Sequence, residues 1–313
     1  MGTETPQVPQ LLLPPGLTVL ERGWLSSNNI LITGSAGTAL IDSGYCTHSA
    51  QTLQLVEAGL QGRPLDLLLN THLHSDHCGG NAALQARFSG MQTLIPPGDA
   101  AQVAEWNEAA LSYSATGQTC PRFGFDAMLL PGTVLQLGDL LWQVHAAPGH
   151  DSHSVILFEP ISRVLVSADA LWQRGFGVVF PELVGEEGFD AVGQTLDLIE
   201  SLQAHVVIPG HGAPFTDVAE ALVRSRQRLQ GFISDPQRHL QHAAKVLLKF
   251  KLLEWQTVSM TELLAWAQAT PYVSRLVALQ YEGMDLAQAL QALVQDLVRA
   301  GAATLQGEQL HNA

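Results

Sequence analysis

The sequence predicts an α+β protein with two parts, a sheet-rich part at residues 1–219 and a helical part at residues 220–313. Between residues 17 and 212, short apolar runs typical of β-strands alternate with Gly and Pro, whereas after Pro214 apolar residues recur at helical spacing. The length of 313 residues also favours two domains, because a single core stops growing at roughly 250 to 300 residues.

The strand candidates of the first part are short apolar stretches bounded by turn residues. They are L-T-V-L-E-R, N-N-I-L-I-T-G, T-A-L-I-D-S-G, L-D-L-L-L-N-T, L-L-W-Q-V-H-A, S-V-I-L-F, R-V-L-V-S-A-D and H-V-V-I-P-G. The continuous apolar runs among them indicate a sheet covered on both faces. Helices are predicted between them at residues 47–60, 79–89, 98–112 and 189–203. The turn G-S-A-G is predicted to close a hairpin, because strand-like runs flank it and no helix follows.

The second part begins its clear helical pattern at Asp235-Pro236, a cap followed by a first-turn proline. Ser259 and Glu262 form a capping-box pattern that starts another helix. A third apolar stripe ends at Gly301, and the segment A-T-L-Q-G-E-Q-L after it resembles a small hairpin. Helices followed by a short hairpin predict a winged-helix-like C-terminal domain.

The net charge of −14 lies almost entirely in the first part of the chain. Residues 1–219 hold six Arg and no Lys against 21 acidic residues, whereas residues 220–313 hold nine basic and eight acidic residues. An acidic domain holds cations and repels polyanions. A small-molecule substrate is therefore the expected partner, with nucleic acid as a disfavoured alternative and a homodimer left open.

The sequence predicts a cytoplasmic protein that does not contact a membrane. No stretch approaches the ~18 uninterrupted apolar residues that a membrane helix needs, and the N-terminus lacks the basic region of a cleaved signal. The three cysteines, Cys46, Cys78 and Cys120, are odd in number and far apart, which argues against a disulfide framework.

The segment T-H-L-H-S-D-H-C-G-G places three histidines and an aspartate directly after a predicted buried strand. In extended backbone His72 and His74 point the same way, and Asp76 and His77 can aim at a second point once a helix begins. Imidazole and carboxylate are ligands that zinc, iron and manganese accept, usually three or four to a site. This segment therefore offers too many ligands for one metal and too few for two.

The remaining ligands are expected at the ends of other predicted strands, where His150, Asp169 and His211 stand. With them the set contains two triads and a bridging residue. The first triad is His72, His74 and His150, the second is Asp76, His77 and His211, and Asp169 is the predicted bridge between the two ions.

This set resembles the metallo-β-lactamase-fold hydrolase superfamily, whose H-x-H-x-D-H motif and later His, Asp and His match by position and order. The resemblance covers roughly residues 17–215. It implies a four-layered αββα sandwich and a binuclear centre holding two divalent ions, with zinc preferred and iron or manganese as alternatives. Among the branches of the superfamily, the glyoxalase II-like branch is favoured.

The implied activity is hydrolysis by a metal-bridging hydroxide, with Asp76 and Asp169 in catalytic roles. Two cations lower the pKa of a shared water from 15.7 towards ~7 and polarise the oxygen under attack. Asp169 stands where many true β-lactamases carry a cysteine, which argues against antibiotic hydrolysis. The flavodiiron oxygen reductase branch resembles H-x-E-x-D at this motif. His74 stands at the position of the glutamate, which argues against that branch.

The leaving group favours a thioester substrate. A thiolate leaves without a proton, whereas an amine or alkoxide needs a general acid, and no acid is evident beyond the ligands. A hydroxyacylglutathione hydrolase-like activity is therefore predicted. The alternatives are a lactonase, a phosphodiesterase or endoribonuclease of the branch with a winged-helix tail, a mono-iron persulfide dioxygenase, and a non-enzymatic nucleic-acid binder.

Four residues are predicted to contact the substrate. Tyr113 lies in the long connection at residues 99–126, which is either a substrate loop or a plain surface excursion. Trp172, Arg174 and Phe176 follow Asp169 in a segment expected to cross the mouth of the metal site.

A basic cluster in the second part has two interpretations. It is either a solvated helix surface or a set of side chains that holds the carboxylates of glutathione, as basic residues do in glyoxalase II relatives. Its members are Arg224, Arg226, Arg228, Arg238, Lys245, Lys249 and Lys251.

Overall fold

The computed structural model describes residues 13–281 and 283–313. The prediction that no signal segment is present concerns the N-terminal residues, most of which lie outside this range. The strands are β1 (Leu17–Leu20), β2 (Asn29–Gly34), β3 (Gly37–Ile41), β4 (Leu67–Leu69), β5 (Gln92–Ile95), β6 (Ala127–Met128), β7 (Val134–Leu137), β8 (Leu140–Ala146), β9 (Val155–Glu159), β10 (Val164–Ala168), β11 (Val206–Pro209), β12 (Thr257–Ser259), β13 (Ala303–Gln306) and β14 (Gln309–Asn312).

The helices alternate with strands in the first part and dominate the second. They are α1 (Ser49–Leu60), α2 (Ser75–Cys78), α3 (Asn81–Arg87), α4 (Ala100–Glu105), α5 (Phe180–Val184), α6 (Phe189–Leu202), α7 (Val218–Ser234), α8 (Pro236–Trp255), α9 (Met260–Ala269), α10 (Pro271–Gln280) and α11 (Leu286–Arg299). None of the described helices is long and apolar enough to cross a membrane.

Two sheets form the first part of the molecule. One has the strand order β1-β2-β3-β4-β5-β6, antiparallel up to β3 and parallel from there on. The other has the order β11-β10-β9-β8-β7, in which only β10 and β11 are parallel. The predicted hairpin at G-S-A-G is confirmed, because β2 and β3 pair up to Gly34 and Gly37.

The alternation of side chains along the strands produces four layers. Ile30 and Ile32 of β2 point into a core shared with the second sheet, where they meet residues such as Leu157 and Val166. Leu31, between them, points the opposite way into a cluster that includes Val56 of α1. Because strand side chains alternate with a period of two, one strand supplies both the central core and the helix-covered face.

Helices α6 and α7 cover the outer face of the second sheet. Leu196 of α6 and Leu222 of α7 pack against Leu165 and Val207 of that sheet. The result is the predicted four-layered αββα sandwich, and the α+β class is confirmed. Helix α7 crosses the predicted boundary at residue 219 and packs on the first part.

The second part has its own core between α8, α9, α10 and α11. The capping box of Ser259 and Glu262 is confirmed at the start of α9, and the predicted small hairpin is confirmed as β13 and β14, which β12 extends to three strands. Val178 and Leu183 of the first part enter this same core. The helical part is therefore packed directly against the segment that follows Asp169.

The strands that the sequence did not predict are short. Strands β5, β6, β7 and β12 have two to four residues each, which is too short for an apolar period to be visible. The helix predicted at residues 98–112 is wrong in its length, because α4 ends at Glu105 and Trp106 adopts a left-handed conformation with φ 57°.

Candidate metal centre

The seven predicted ligands converge at one edge of the sandwich. His72 and His74 follow the end of β4, and Asp76 and His77 lie on the short helix α2. The other three follow strands of the second sheet. His150 lies in the connection from β8 to β9, Asp169 follows β10, and His211 follows β11. Since β10 and β11 are parallel, their carboxyl ends lie side by side.

The first predicted triad is a compact group. His72, His74 and His150 each offer a ring nitrogen, and the three atoms lie within 4.8 Å of one another. Nδ1 of His74 is 2.8 Å from Nε2 of His150. His72 and His150 are buried, and His74 is partly exposed to the cavity described below.

The second predicted triad lies beside the first. Its ligand atoms, from Asp76, His77 and His211, also lie within 4.8 Å of one another. Nε2 of His211 is 3.1 Å from Oδ2 of Asp76, and Nε2 of His77 is 3.9 Å from the same oxygen.

Asp169 lies between the two triads. Its Oδ2 is 3.5 Å from Nε2 of His150 in the first group and 3.9 Å from Nε2 of His211 in the second. Its Oδ1 is 3.5 Å from Nε2 of His77. The position is the one that the predicted bridging role requires.

Two histidine nitrogens without hydrogen-bond partners indicate that the cluster fits divalent metal ions. Among the described residues, Nε2 of His72 and Nε2 of His77 are buried and have no hydrogen-bond partner. A buried polar atom without a partner costs roughly 1 to 3 kcal/mol. His72 and His77 each belong to one of the two triads, so an ion bound in each triad would give these nitrogens a partner.

Neighbouring groups orient the histidines. Asp42 accepts a 2.8 Å hydrogen bond from Nδ1 of His77 through Oδ2, and it also accepts the backbone N–H of Thr71 at 2.9 Å. Nδ1 of His150 donates to the carbonyl of Val178 at 2.6 Å. Such partners fix which ring nitrogen is free and therefore leave Nε2 for a metal.

The pKa shifts in the cluster show that its carboxylates favour a nearby cation. Burial by itself disfavours the imidazolium of His77, yet the carboxylates of Asp42, Asp169 and Asp76 raise its pKa well above the ordinary value. Burial, followed by the charge of the neighbouring His74, lowers the pKa of His150 to about 4. The carboxylates thus draw a cation towards themselves, while His150 is held neutral, the form that binds metals.

Close backbone approach is required behind Asp169. A Cβ atom at Gly210 would lie 2.1 Å from Oδ1 of Asp169 and 3.0 Å from the His77 ring. Only glycine therefore lets the end of β11 reach the cluster. On the other side, Ala168 adopts φ 45°, a strained value for a residue with a side chain, and this turns Asp169 out of the strand.

A cavity opens onto the cluster and exposes His74, Asp76, His150, Asp169 and His211. Of the four predicted substrate residues, only Trp172 lines it, and its Nε1 donates to Oδ1 of Asp169 at 3.2 Å. The other walls come from residues that the sequence did not single out. They are Trp24, Ser112, Thr116, Gln118, Gly177, Val178, Phe180, Val246, Leu247 and Phe250.

Tyr113, Arg174 and Phe176 lie away from the cavity. Tyr113 is buried, and its hydroxyl donates to the carbonyl of Leu73 at 2.9 Å. Phe176 is buried under the guanidinium of Arg228, and Arg174 is exposed. Residues two apart share a side only in regular strand, and this segment is irregular.

Two of the walls, the unpredicted Trp24 and the predicted Trp172, form one aromatic group with a predicted ligand. The indole of Trp24 stacks on the ring of His211 with centroids 5.2 Å apart, and it meets Trp172 edge-on at 5.3 Å. The only sequence signal for Trp24 is a large aromatic residue in a turn before a buried strand. Val246 and Phe250 come from α8, so the helical part closes one side of the cavity.

The basic cluster of the helical part is largely neutralised within the chain. Five of its members pair with carboxylates. The other two bind neutral groups: Arg228 donates to the ring of His242, and Lys249 donates to the carbonyl of Ala302 and to Asn312. Among the described residues, no Lys or Arg lines the cavity.

The fold and the site together define an αββα protein with a His and Asp cluster that is compatible with divalent metal ions. The family model of the Metallo-beta-lactamase superfamily matches residues 22–211. The chain therefore belongs to this superfamily, and the resemblance inferred from the motif is confirmed.

The curated relatives include hydroxyacylglutathione hydrolases. That of Brucella anthropi is 27% identical over 183 residues, which cover 58% of this chain and 56% of that protein. That of Mesorhizobium japonicum is 32% identical over 114 residues, 36% of this chain and 37% of that protein. That of Brucella ovis is 25% identical over 229 residues, 72% and 74% respectively. The chain thus spans about half or less of the first two relatives.

The solved structures similar to this chain include a metallo-beta-lactamase family protein, TTHA1429, from Thermus thermophilus. It is 21% identical with a TM-score of 0.55 and covers 96% of this chain and 100% of its own. The protein TTHA1623, solved in a di-iron-bound form, is 25% identical with a TM-score of 0.53 and covers 66% of this chain and 98% of its own. The first of these likenesses shows the fold alone.

Proposed function

We propose that this protein is a metal-dependent hydrolase that cleaves thioesters. The observation that carries the proposal is the convergence of two ligand triads and Asp169 on a cavity open to solvent. Two divalent ions, zinc in preference to iron or manganese, would be held by these seven side chains. When bound, such ions supply a water-derived nucleophile at neutral pH and polarise the carbonyl under attack.

The chemistry of the cavity wall supports a thiolate leaving group. Apart from the predicted ligands, the described residues that line it carry only hydroxyl, amide, indole or apolar groups. None of these is an effective general acid near neutral pH. A thiolate leaves without protonation, whereas an alkoxide or amine does not. This argument favours a thioester over a lactone or an amide.

The same wall argues against a phosphodiester. A nucleic-acid site needs Lys or Arg beside the phosphates, and the basic residues of the helical part are occupied by internal partners. The hydroxyacylglutathione hydrolases among the relatives support thioester chemistry. The lack of a lining cation among the described residues gives no support to glutathione itself as the thiol.

The chain's own residues would contribute positioning and exclusion of water. Asp42 holds the His77 ring through Nδ1, and the Val178 carbonyl holds the His150 ring. Trp24 and Trp172 cover His211 and form an apolar edge against which an acyl group can pack. We also infer that the helical part is winged-helix-like and serves as a cavity wall, and that the protein is cytoplasmic, consistent with its three free cysteines.

Substrate assays on metal-loaded protein test the proposal. The panel is a glutathione thioester, an N-acetylcysteamine thioester, the matching oxygen ester, a homoserine lactone, a bis-aryl phosphodiester and single-stranded RNA. We expect cleavage of thioesters in preference to every other class. If the phosphodiester or the RNA is cleaved while the thioesters remain uncleaved, the proposal is refuted and the nuclease alternative is favoured.

Two variants test the binuclear site. Asp76→Ala and His211→Ala should each abolish hydrolysis and lower the metal content from about two ions per chain, while unfolding stays cooperative. His205→Ala is the matched control, because His205 also lies beside β11 but is exposed and outside the cluster. One iron bound at His72, His74 and His150 alone would instead support the persulfide dioxygenase alternative, and full hydrolytic activity in either variant would remove the two-metal mechanism.

A further inference from the structure

A second groove lies next to the metal cavity, between Trp24 and one face of α8. It has a volume of about 320 Å³. Its apolar walls are Trp24, Val246, Phe250, Leu253 and Leu297. Trp24 is 56% exposed and Val246 is 37% exposed, so this is a contiguous apolar surface that faces water. Such surfaces in proteins usually mark a binding site.

The polar side chains of the groove already have partners. Lys249 donates to the carbonyl of Ala302 and to Oδ1 of Asn312, both at 2.6 Å. Lys245 lies 3.3 Å from Asp296, and the ring of His242 accepts from Arg228 at 2.6 Å. The surface therefore offers contact area to an apolar ligand and little to a charged one.

The groove adjoins the metal cavity. Trp24, Val246 and Phe250 line both spaces. Because the indole of Trp24 also stacks on His211, this end of the groove lies beside a predicted ligand.

A second, polar space shares His74, Ser112 and Phe180 with the metal cavity. It has a volume of about 200 Å³, and its walls include Asp99, Asp151 and Tyr272. The cavity thus adjoins one apolar space and one polar space. A thioester has the same division, because its acyl half can be a plain hydrocarbon whereas thiol carriers bear polar amides.

We propose that the groove between Trp24 and α8 is an acyl-chain subsite, and that the preferred substrates are thioesters of apolar acyl groups longer than two or three carbons. This inference rests on the proposed thioester hydrolysis. Hydrocarbon contributes about 0.8 kcal/mol per buried CH₂, a factor of about four in affinity. The groove should therefore select acyl length.

The experiment uses straight-chain acyl thioesters of N-acetylcysteamine, from acetyl to decanoyl, on the metal-loaded full chain. In the wild type, kcat/KM should rise by up to about fourfold per methylene until the groove is filled. Val246→Glu, at the junction of groove and cavity, should lose the rise with acyl length. Val223→Glu is the control, because Val223 is 54% exposed on α7 and lines neither space. It should behave as the wild type.

A binding measurement separates this inference from the proposed function. Straight-chain alcohols from butanol to decanol are used to displace a fluorescent anilinonaphthalene probe from the wild type and from Val246→Glu. Length-dependent displacement in the wild type alone supports the subsite. A flat acyl series with normal thioester hydrolysis overturns the subsite and leaves the hydrolase standing.

Two further outcomes would also overturn the assignment. If no thioester is cleaved, the proposed function fails and the acyl role fails with it, even where the alcohols bind. If Val246→Glu changes the sedimentation of the protein while the acyl series stays flat, the groove is an interface between copies of this chain.

Discussion

Replacing Asp42 by asparagine should weaken metal binding, although Asp42 is not a predicted ligand. Oδ2 of Asp42 accepts the Nδ1–H of His77 at 2.8 Å, and its two oxygens also accept the backbone N–H and the hydroxyl of Thr71. Asparagine has one accepting oxygen where the carboxylate has two, and it is neutral. The variant must therefore give up either the backbone N–H of Thr71 at Oδ1 or the contacts to His77 and the Thr71 hydroxyl at Oδ2, in a residue that is only 2% exposed.

The magnitude follows from the role of this carboxylate. Partners of metal-bound histidines typically change affinity by about 10-fold to 100-fold when removed, which is about 1.4 to 2.7 kcal/mol. Because His77 already depends on the charge of Asp42 for its raised pKa, we expect an effect near the upper end for the ion at Asp76, His77 and His211. The other triad has no contact with Asp42 and should change less.

Competition with a chromophoric chelator measures the two Zn²⁺ affinities in wild type and variant. Asp66→Asn is a suitable control, because Asp66 accepts the backbone N–H of Thr38 at 2.8 Å and its hydroxyl at 3.1 Å but contacts no histidine. Equal zinc affinities in the wild type and in Asp42→Asn would refute the reasoning, and so would an equal loss in both variants.

Three further predictions concern stability. With free metal at about 100 Kd, each bound ion adds about 2.7 kcal/mol to the free energy of unfolding, so chelation should lower Tm by roughly 5 to 10 °C for each ion removed, and an unchanged Tm would contradict metal binding. Burial, followed by the charge of Arg228, lowers the pKa of His242 to about 3, so the unfolded chain alone takes up this proton as pH falls below about 6.5. In denaturant titrations the free energy of unfolding should fall by about 2 kcal/mol through this group between about pH 7.5 and about pH 5, and His242→Gln should remove that fall. Lys251→Met breaks a 2.7 Å buried pair with Glu254 and a 2.9 Å hydrogen bond to the Gly117 carbonyl. In the same titration it should lower the free energy of unfolding by about 3 kcal/mol, whereas Lys251→Arg should lower it less.

The predicted ligand set was accessible from sequence because each member follows a strand. His72 and His74 follow the end of β4, and Asp76 and His77 lie on α2 directly after them. The apolar runs before Asp169 and His211 identified the strands that would bring them to the same edge. These signals are local in the sequence, and the parallel pairing of β10 and β11 brings Asp169 and His211 side by side.

The substrate residues were not accessible in this way. Trp172, Arg174 and Phe176 were predicted together, yet the irregular backbone after Asp169 turns only Trp172 into the cavity. Trp24 and Val246 are more than 200 positions apart in the chain and carry no pattern that links them. For the basic cluster, the sequence shows the charged residues themselves, but it does not show which acidic residues of the same chain pair with them.

The sequence by itself determined the α+β class, the strand ends and the chemistry of the seven predicted ligands, because periodicity and residue type act over a few neighbouring positions. Only the tertiary structure decided that Asp42 holds His77, that Trp24 stacks on His211, and that α8 lays an apolar wall beside Trp24. These contacts join segments far apart in the chain, and their geometry depends on how sheets and helices pack as layers.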